Sequence, residues 1–213
     1  MNKKGFFITG TDTSVGKTFF SYLLMKRNIF YYWKPIQTGK LIEDDSLFLK
    51  KKLNLSNNRI LKPVYRFNRP LSPHLAAKDE KVIIKMSNIK IPNIEGNIIV
   101  EGAGGILVPL NNSDLMIDLI KKLKFPVIIV SKSVLGTINH TLMTLEILRK
   151  KKINILGVVL NKIKNKKEGK DHVKSIEKFG RVKVLAEIPF FKKINNKEID
   201  SFSKNKLFNV FKK

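Results

Sequence analysis

The chain has 213 residues, no cysteine, and 42 lysines and arginines against 17 aspartates and glutamates, which gives a formal net charge of +25. The lack of cysteine excludes disulfides, thiolate nucleophiles and thiolate-bound metal centres and suits a reducing compartment, so we expect a cytoplasmic protein. No apolar run approaches the ~18 residues of a membrane span, and no membrane association is expected.

Short β-branched runs alternate with longer amphipathic runs along the chain. Strands are predicted over residues 5–9, 29–34, 97–101, 126–131, 153–161 and 182–188. Helices are predicted over residues 17–28, 45–53, 114–123, 138–151, 169–179 and 198–211. This alternation is typical of an α/β domain with a largely parallel sheet. Residues 55–93 contain four prolines, and we expect this irregular segment to cover one end of the sheet.

The residues after the first predicted strand form a candidate phosphate-binding loop. Gly10 to Thr18 read GTDTSVGKT and lead into the first predicted helix. Free N–H groups at a helix amino terminus attract anions, and Lys17 adds a positive charge. Five residues, instead of the usual four, separate Gly10 from Gly16, so an ordinary glycine-containing turn is the alternative. The setting favours a nucleoside triphosphate, with the Thr18 hydroxyl as a candidate magnesium ligand.

Charged residues follow two further predicted strands. Glu101 ends the third predicted strand and precedes the sequence GAGG, and Lys34 ends the second. Ligands of open α/β sheets bind beyond the carboxyl ends of the strands, so both side chains would face the loop. For Lys34 alone, a solvated lysine at the end of a strand is an equally good interpretation. Asp44 and Asp45 precede a predicted helix, where helix capping and metal binding are equally good interpretations.

The large positive charge is compatible with a nucleic-acid partner. Only six of the basic residues are arginines, however, and arginine is favoured for bidentate recognition of phosphate and guanine. A solvated basic surface that attracts nucleotides is the favoured interpretation, and no specific nucleic acid is expected.

Five sequence blocks together resemble the ATP-dependent dethiobiotin synthetase family. They are TGTDTSVGKT at 9–18, WKPIQTG at 33–39, SPH at 72–74, VEGAGG at 100–105 and LGTINH at 135–140. The blocks follow the order of the family, and its extended loop accounts for the early Gly10. The resemblance implies one domain over residues 1–213 with the three-layer P-loop NTPase fold, in which helices flank a mostly parallel central sheet.

The resemblance also implies a reaction, that of a ligase in biotin synthesis. An amine of 7,8-diaminopelargonate (7,8-diaminononanoate) takes up CO2 to form a carbamate, which attacks the γ-phosphate of ATP. The resulting carbamic-phosphoric anhydride is closed by the second amine to give dethiobiotin, ADP and phosphate. The implied cofactors are ATP and Mg2+.

Site residues are carried over from the matching blocks. Catalysis would use Lys17, Lys34 and Thr13. The nucleotide would contact Gly10, Asp12, Thr13, Ser14, Val15, Gly16, Lys17, Thr18, Glu101, Gly102, Gly104 and Asn161. The diamine would contact Thr38, Gly104, Leu135, Gly136 and Asn139. The metal would be held by Thr18, Asp45 and Glu101.

Some of these assignments leave alternatives open. Asp45 is preferred to Asp44 because of its register with the following helix, and Asn161 is an equally good cap of a strand end. Ser14 replaces an acidic residue that is common in the family's loop, so any contact of that carboxylate with a substrate amine is absent. In the family the helix start at 135–139 comes from the partner subunit, which implies a homodimer with shared active sites.

Two other classes of protein compete with this interpretation. Another P-loop amide ligase would usually carry a glutaminase domain with a nucleophilic cysteine, which this chain lacks. A DNA-binding, partition-type P-loop ATPase would use the basic surface to bind DNA, but its loop usually begins Lys-Gly-Gly. The corresponding residues of this chain read Asp-Thr-Ser-Val.

Overall fold

The computed structural model describes residues 5–27, 29–40, 44–54, 59–192 and 196–204. The strands are β1 (Gly5–Gly10), β2 (Phe30–Trp33), β3 (Ile36–Thr38), β4 (Ile60–Leu61), β5 (Tyr65–Phe67), β6 (Asn97–Gly105), β7 (Val127–Lys132), β8 (Ile155–Ile163) and β9 (Val184–Pro189). The helices are α1 (Lys17–Arg27), α2 (Asp45–Leu53), α3 (Pro73–Asp79), α4 (Met116–Leu123), α5 (Thr137–Lys150), α6 (Lys166–Gly180) and α7 (Asn196–Lys204), and a 3-10 helix spans Met86–Asn88.

Seven of the strands form one sheet in the order β4-β2-β6-β1-β7-β8-β9, and their pairings are parallel. The predicted parallel α/β sheet is thereby confirmed. The strands β3 and β5 pair with each other in a separate two-stranded sheet. Because β1 lies between β6 and β7, the loop that follows it leaves from the middle of the carboxyl edge of the main sheet.

The core consists of two hydrophobic layers, one on each face of the main sheet. Along β7, Val127 and Ile129 belong to the layer that includes side chains of α4, α5 and α6. Ile128 and Val130 belong to the other layer, which includes side chains of α1, α2 and α7. Successive side chains of a strand point to opposite faces, so a continuous apolar strand is expected where helices cover both faces. The helix–sheet–helix arrangement matches the predicted three-layer fold.

Several boundaries differ from the sequence predictions for identifiable reasons. Helix α6 begins three residues earlier than predicted, because the Asn165 side chain accepts hydrogen bonds from the N–H groups of Lys167 and Glu168. Strand β6 continues past its predicted end to Gly105, which pairs with Gly10. The last predicted helix is present from Asn196 to Lys204, and its remaining predicted residues lie outside the described ones.

The segment between α2 and β6 is more regular than predicted. It contains β4, β5, α3 and the 3-10 helix. Pro73 begins α3, a position where the missing N–H of proline costs no helical hydrogen bond. Within the described residues, no helix is both long enough and apolar enough to cross a membrane.

Candidate active site

The loop between β1 and α1 has a backbone that requires glycine at two positions. Gly16 has a φ of +98°, and a side chain there would overlap the side-chain amide of Asn161. A Cβ at Gly10 would lie 2.7 Å from the Asp12 carbonyl oxygen and 3.0 Å from Lys17 Nζ. At Gly10 the loop therefore packs closely both against its own backbone at Asp12 and against the Lys17 side chain.

Lys17 is the first residue of α1 and lies almost entirely inside the protein. Its Nζ donates a hydrogen bond to the Asp12 carbonyl oxygen at 3.0 Å. Burial lowers the pKa of Lys17 to about 8; the nearby Lys34 acts in the same direction, and the charge of Glu101 opposes both. A phosphate group in the loop would offset this loss of solvation and favour the ammonium form.

Two carboxylates converge on the Thr18 hydroxyl. Thr18 Oγ1 lies 2.8 Å from Glu101 Oε1 and also contacts Asp45 Oδ1. The Glu101 side chain is fully buried, and its second oxygen accepts a hydrogen bond from Ser21 Oγ at 2.7 Å. Burial raises the pKa of Glu101, opposed by the charge of Lys34 and assisted by that of Asp45.

The neighbouring residues Asp44 and Asp45 have separate roles. Asp44 is the N-cap of α2: its Oδ1 accepts a hydrogen bond from the Leu47 N–H at 2.8 Å, and its Oδ2 forms an ion pair with Arg66. Asp45 is the first residue of the helix and contacts Thr18 and Lys34. The structure thus brings Asp45, and not Asp44, to Glu101 and the loop.

Lys34 follows β2 and connects the two carboxylates. Its Nζ forms an ion pair with Asp45 and lies 3.8 Å from Glu101 Oε1. Burial lowers the pKa of Lys34, but the negative charges of Glu101 and Asp45 outweigh it, so the pKa is raised. The side chain is therefore held as a cation.

The donor set around Thr18 fits a magnesium ion. It offers one hydroxyl and two carboxylates, and Mg2+ prefers oxygen ligands. Magnesium usually retains several waters and binds through one or two carboxylates together with substrate phosphates. Among the described residues, no group of three or more histidine, aspartate or glutamate side chains could hold a metal without such help. The set therefore suits a metal that arrives with a nucleotide.

A cavity of about 850 Å³ opens at the loop and extends along the edge of the sheet to both sides of β1. On the side of β2 and β6 it is lined by Lys34, Thr38, Pro70, Leu71, Ser72, Pro73, Glu101, Ala103, Gly104 and Val108. On the side of β8 and β9 it is lined by Asn161, Lys162, Pro189, Phe190 and Phe191. One space therefore adjoins the phosphate loop and offers room for two molecules.

Most of the predicted site residues line this cavity. They are Thr13, Ser14, Gly16, Lys17, Thr18, Lys34, Thr38, Asp45, Glu101, Gly104 and Asn161. Gly10, Asp12 and Val15 belong to the loop but are not among the lining residues. Gly102 packs against Phe7 and Met116 in the core, where a Cβ would lie 2.9 Å from the Phe7 ring.

The predicted residues at the start of α5 lie apart from the cavity in the single chain. Leu135 is fully exposed, and Gly136 and Asn139 are exposed beside it. Gly136 is the N-cap of α5, with a φ of +88°. The structure of one chain therefore does not bring these three residues to the loop.

Several residues of the site carried no assignment from the sequence. The SPH block was noted, but the structure adds that Ser72 and Pro73 line the cavity. Ser21 contacts Glu101 from one helical turn beyond Thr18, a spacing that could have suggested it. Lys162 lies in a lysine-rich run, and nothing in the sequence distinguishes it from its neighbours.

Comparisons with known proteins show which family this chain is similar to. A family model described as an AAA domain matches residues 4–198. The ATP-dependent dethiobiotin synthetase of Lawsonia intracellularis is 46% identical over 189 residues, which are 89% of each chain. That of Paramagnetospirillum magneticum is 46% identical over 185 residues, or 87% of each chain. The biotin biosynthesis bifunctional protein of Bordetella avium is 41% identical over 94% of this chain and 43% of its own length.

Solved structures with low sequence identity share the fold. A plasmid partition protein of Borrelia burgdorferi bound to AMPPNP has a TM-score of 0.57 at 12% identity, over 99% of this chain and 98% of its own. The MinD cell division protein of Aquifex aeolicus has a TM-score of 0.53 at 12% identity, over 97% and 92% of the two chains.

The parallel sheet, the glycine-lysine loop at its centre and the structural neighbours define a P-loop NTPase with the AAA-type domain. Within that class, the extent and level of identity decide the family. The chain belongs to the ATP-dependent dethiobiotin synthetases, as the five sequence blocks had suggested.

Proposed function

We propose that this chain catalyses the ATP-dependent formation of dethiobiotin from 7,8-diaminopelargonate and CO2, with release of ADP and phosphate. The observation that carries the proposal is that the phosphate loop, Lys34 and Thr38 line the same cavity. A triphosphate in the loop and a diamine beside Lys34 would thus be neighbours. Holding two reactants in contact supplies much of the rate of such a reaction.

The phosphates of ATP are assigned to the loop and to Lys17. The start of α1 offers free N–H groups and the positive end of the helix dipole. Lys17 lies inside the loop and would balance charge on the transferred phosphoryl group. On the other side of β1, the base would reach the part of the cavity lined by Asn161, Pro189 and Phe190.

Magnesium is assigned to Thr18, Asp45 and Glu101. When bound, the ion neutralises charge on the phosphates of the nucleotide. The three protein ligands come from α1, α2 and β6, so their positions depend on the packing of these elements. Lys34 forms ion pairs with both carboxylates and also lines the cavity, so it would lie between the metal ligands and the diamine.

The diamine is assigned to the side of the cavity next to Lys34 and Thr38. Apolar residues there, such as Leu71 and Val108, suit the alkyl chain of 7,8-diaminopelargonate. Lys34 would stabilise the negative carbamate formed from one amine and CO2 and hold it next to the γ-phosphate. Thr13 and Thr38 would offer hydroxyl groups to the substrate.

A second copy of the chain is assigned to the surface at the start of α5. Leu135 is fully exposed, and Val134 before it and Met143 of α5 are half-exposed apolar side chains. Such an apolar surface is typical of a protein contact. In a homodimer, Leu135, Gly136 and Asn139 would reach the partner's cavity, where the free N–H groups of α5 suit the substrate carboxylate.

The proposal is tested by measuring phosphate release from ATP with and without the diamine and bicarbonate. We expect release to require both, because the carbamate is the group that accepts the phosphoryl group. Release that responds to duplex DNA and ignores the diamine would favour a partition-type ATPase and would contradict the proposal.

A further inference from the structure

Two side chains from the end of β8 hold the phosphate loop from the outside. The Asn161 amide nitrogen donates a hydrogen bond to the Val15 carbonyl oxygen at 2.8 Å. Lys162 Nζ donates to the Ser14 carbonyl oxygen at 2.9 Å. Asn161 matches a residue of the family's site, whereas Lys162 has no role in the function proposed above.

These two contacts fix consecutive peptide groups of the loop. The C=O and N–H of a trans peptide point in opposite directions. Fixing the Ser14 carbonyl therefore fixes the direction of the Val15 N–H, and fixing the Val15 carbonyl does the same for the Gly16 N–H. Backbone N–H groups of such loops are the ones that surround a phosphate.

The loop needs support at this point. Ser14 has a φ of +53°, in the left-handed region that residues with a Cβ occupy at a cost in free energy. Unless neighbouring groups hold it, such a peptide relaxes to a commoner conformation and turns its N–H in another direction. Lys162 supplies a charged donor to the carbonyl of this residue, and hydrogen bonds with a charged donor are stronger than neutral ones.

We propose that Lys162 is a positioning residue for nucleotide binding, which holds the Ser14–Val15 peptide in the orientation that receives the phosphate chain. This rests on the proposed function, because it takes the loop to be the triphosphate site. Lys162 also lines the cavity near Phe190, so a direct contact with the base is the competing role. A positioning role predicts that loss of the ammonium group weakens the binding of ATP and of tripolyphosphate alike. A contact with the base predicts weaker binding of ATP alone.

The experiment compares binding of ATP and of inorganic tripolyphosphate to the full chain by calorimetry. Lys162→Met keeps the length of the side chain and removes the donor, and Lys162→Arg keeps a cationic donor. Lys170→Met is the matched control, because Lys170 is an exposed lysine on α6 and its loss changes the net charge equally. Thermal unfolding of each variant shows that it is folded, and Lys162→Gln provides a second variant without a cation.

We expect Lys162→Met and Lys162→Gln to weaken both ligands by the same factor, about five- to tenfold, and Lys162→Arg to restore most of the affinity. In steady-state kinetics the KM for ATP should rise by the same factor in Lys162→Met and Lys162→Gln, and Lys162→Arg should reverse most of that rise. Unchanged binding in Lys162→Met, an equal loss in Lys170→Met, or a loss for ATP alone would overturn the proposal. A wild-type chain that binds neither ligand would overturn the proposed function as well.

Discussion

At the scale of single residues, Lys17 has the clearest expected effect. It is the first residue of α1, and its Nζ donates a hydrogen bond to the loop carbonyl of Asp12. We expect Lys17→Ala to lower kcat/KM on the order of 10²–10³-fold or more, since one preorganised donor is lost from the phosphoryl group. The exposed residue Lys51 gives a control, Lys51→Ala, that should keep wild-type activity. Unchanged activity in Lys17→Ala would show that the loop does not take part in the reaction.

The pKa of Lys17 also predicts a pH dependence of nucleotide binding. With a pKa of about 8 in the empty site, Lys17 is mostly protonated at pH 7, and at pH 9 about nine in ten molecules have lost the proton. A bound triphosphate raises this pKa, so affinity is fully present below pH 8 and falls as the pH rises through it. Calorimetry of ATP binding at pH 9 in buffers of different ionisation enthalpy should show uptake of close to one proton. No uptake at that pH would contradict the assignment.

Ser21 has an expected effect through Glu101. Its hydroxyl donates to the buried Glu101 oxygen that does not contact Thr18. Removing a hydrogen bond to a buried charged group costs about 1.5–3 kcal/mol. We expect Ser21→Ala to raise the magnesium concentration needed for nucleotide binding by about tenfold or more, while binding without magnesium changes little. Ser46→Ala is a control, because the buried Ser46 hydroxyl has no hydrogen-bond partner among the described residues.

At the scale of elements, the main sheet and the phosphate loop could be predicted from the sequence. The short elements between α2 and β6 could not. The strands with four or more apolar residues, such as β7, are recognisable because burial on both faces makes them continuously apolar. The short strands β4 and β5 hold two and three residues, and each pairs with a strand that is distant in the chain. Their existence depends on tertiary contacts, which no local pattern shows.

The same reasoning applies to the site. Residues within one motif, from Gly10 to Thr18, could be predicted because the chemistry depends on their spacing. The spacing of Ser21 from Thr18 suggests that both lie on one side of the helix, but the contact of Ser21 with Glu101, 80 residues away, could not be predicted. Lys162 meets the loop across 148 residues and lies among other lysines. Because the chain has so many lysines, the sequence does not distinguish Lys162 from its neighbours. The 2.9 Å distance from its Nζ to the Ser14 carbonyl oxygen does.

The start of α5 gives a prediction about the element as part of a dimer. If each site combines the loop of one chain with Asn139 of the other, a mixed dimer of Lys17→Ala and Asn139→Ala chains contains one intact site. Co-expression of the two inactive variants should then restore about one quarter of wild-type activity, since half of the random dimers are mixed. No recovery from two inactive variants would mean that the site lies within one chain, and an active Asn139→Ala variant would remove Asn139 from it.

At the scale of the whole molecule, the net charge and the fold both leave room for a DNA-binding ATPase. The net charge is +25, and solved neighbours include partition and cell division proteins. Those neighbours are 12% identical and share the fold alone, whereas two dethiobiotin synthetases are 46% identical over most of the chain. A positive field attracts any polyanion in a salt-dependent way and also raises the local concentration of ATP. The charge therefore does not distinguish the two functions, whereas the identity to the dethiobiotin synthetases does.

The central claim is that a triphosphate and a carbamate react in this cavity. It is tested most directly by mass spectrometry of the product formed from the diamine, ATP and 13C-labelled bicarbonate. We expect dethiobiotin that carries one 13C atom in its ureido ring, formed in equal amount to the phosphate released. Release of phosphate without labelled dethiobiotin, in the presence of the diamine, would contradict it.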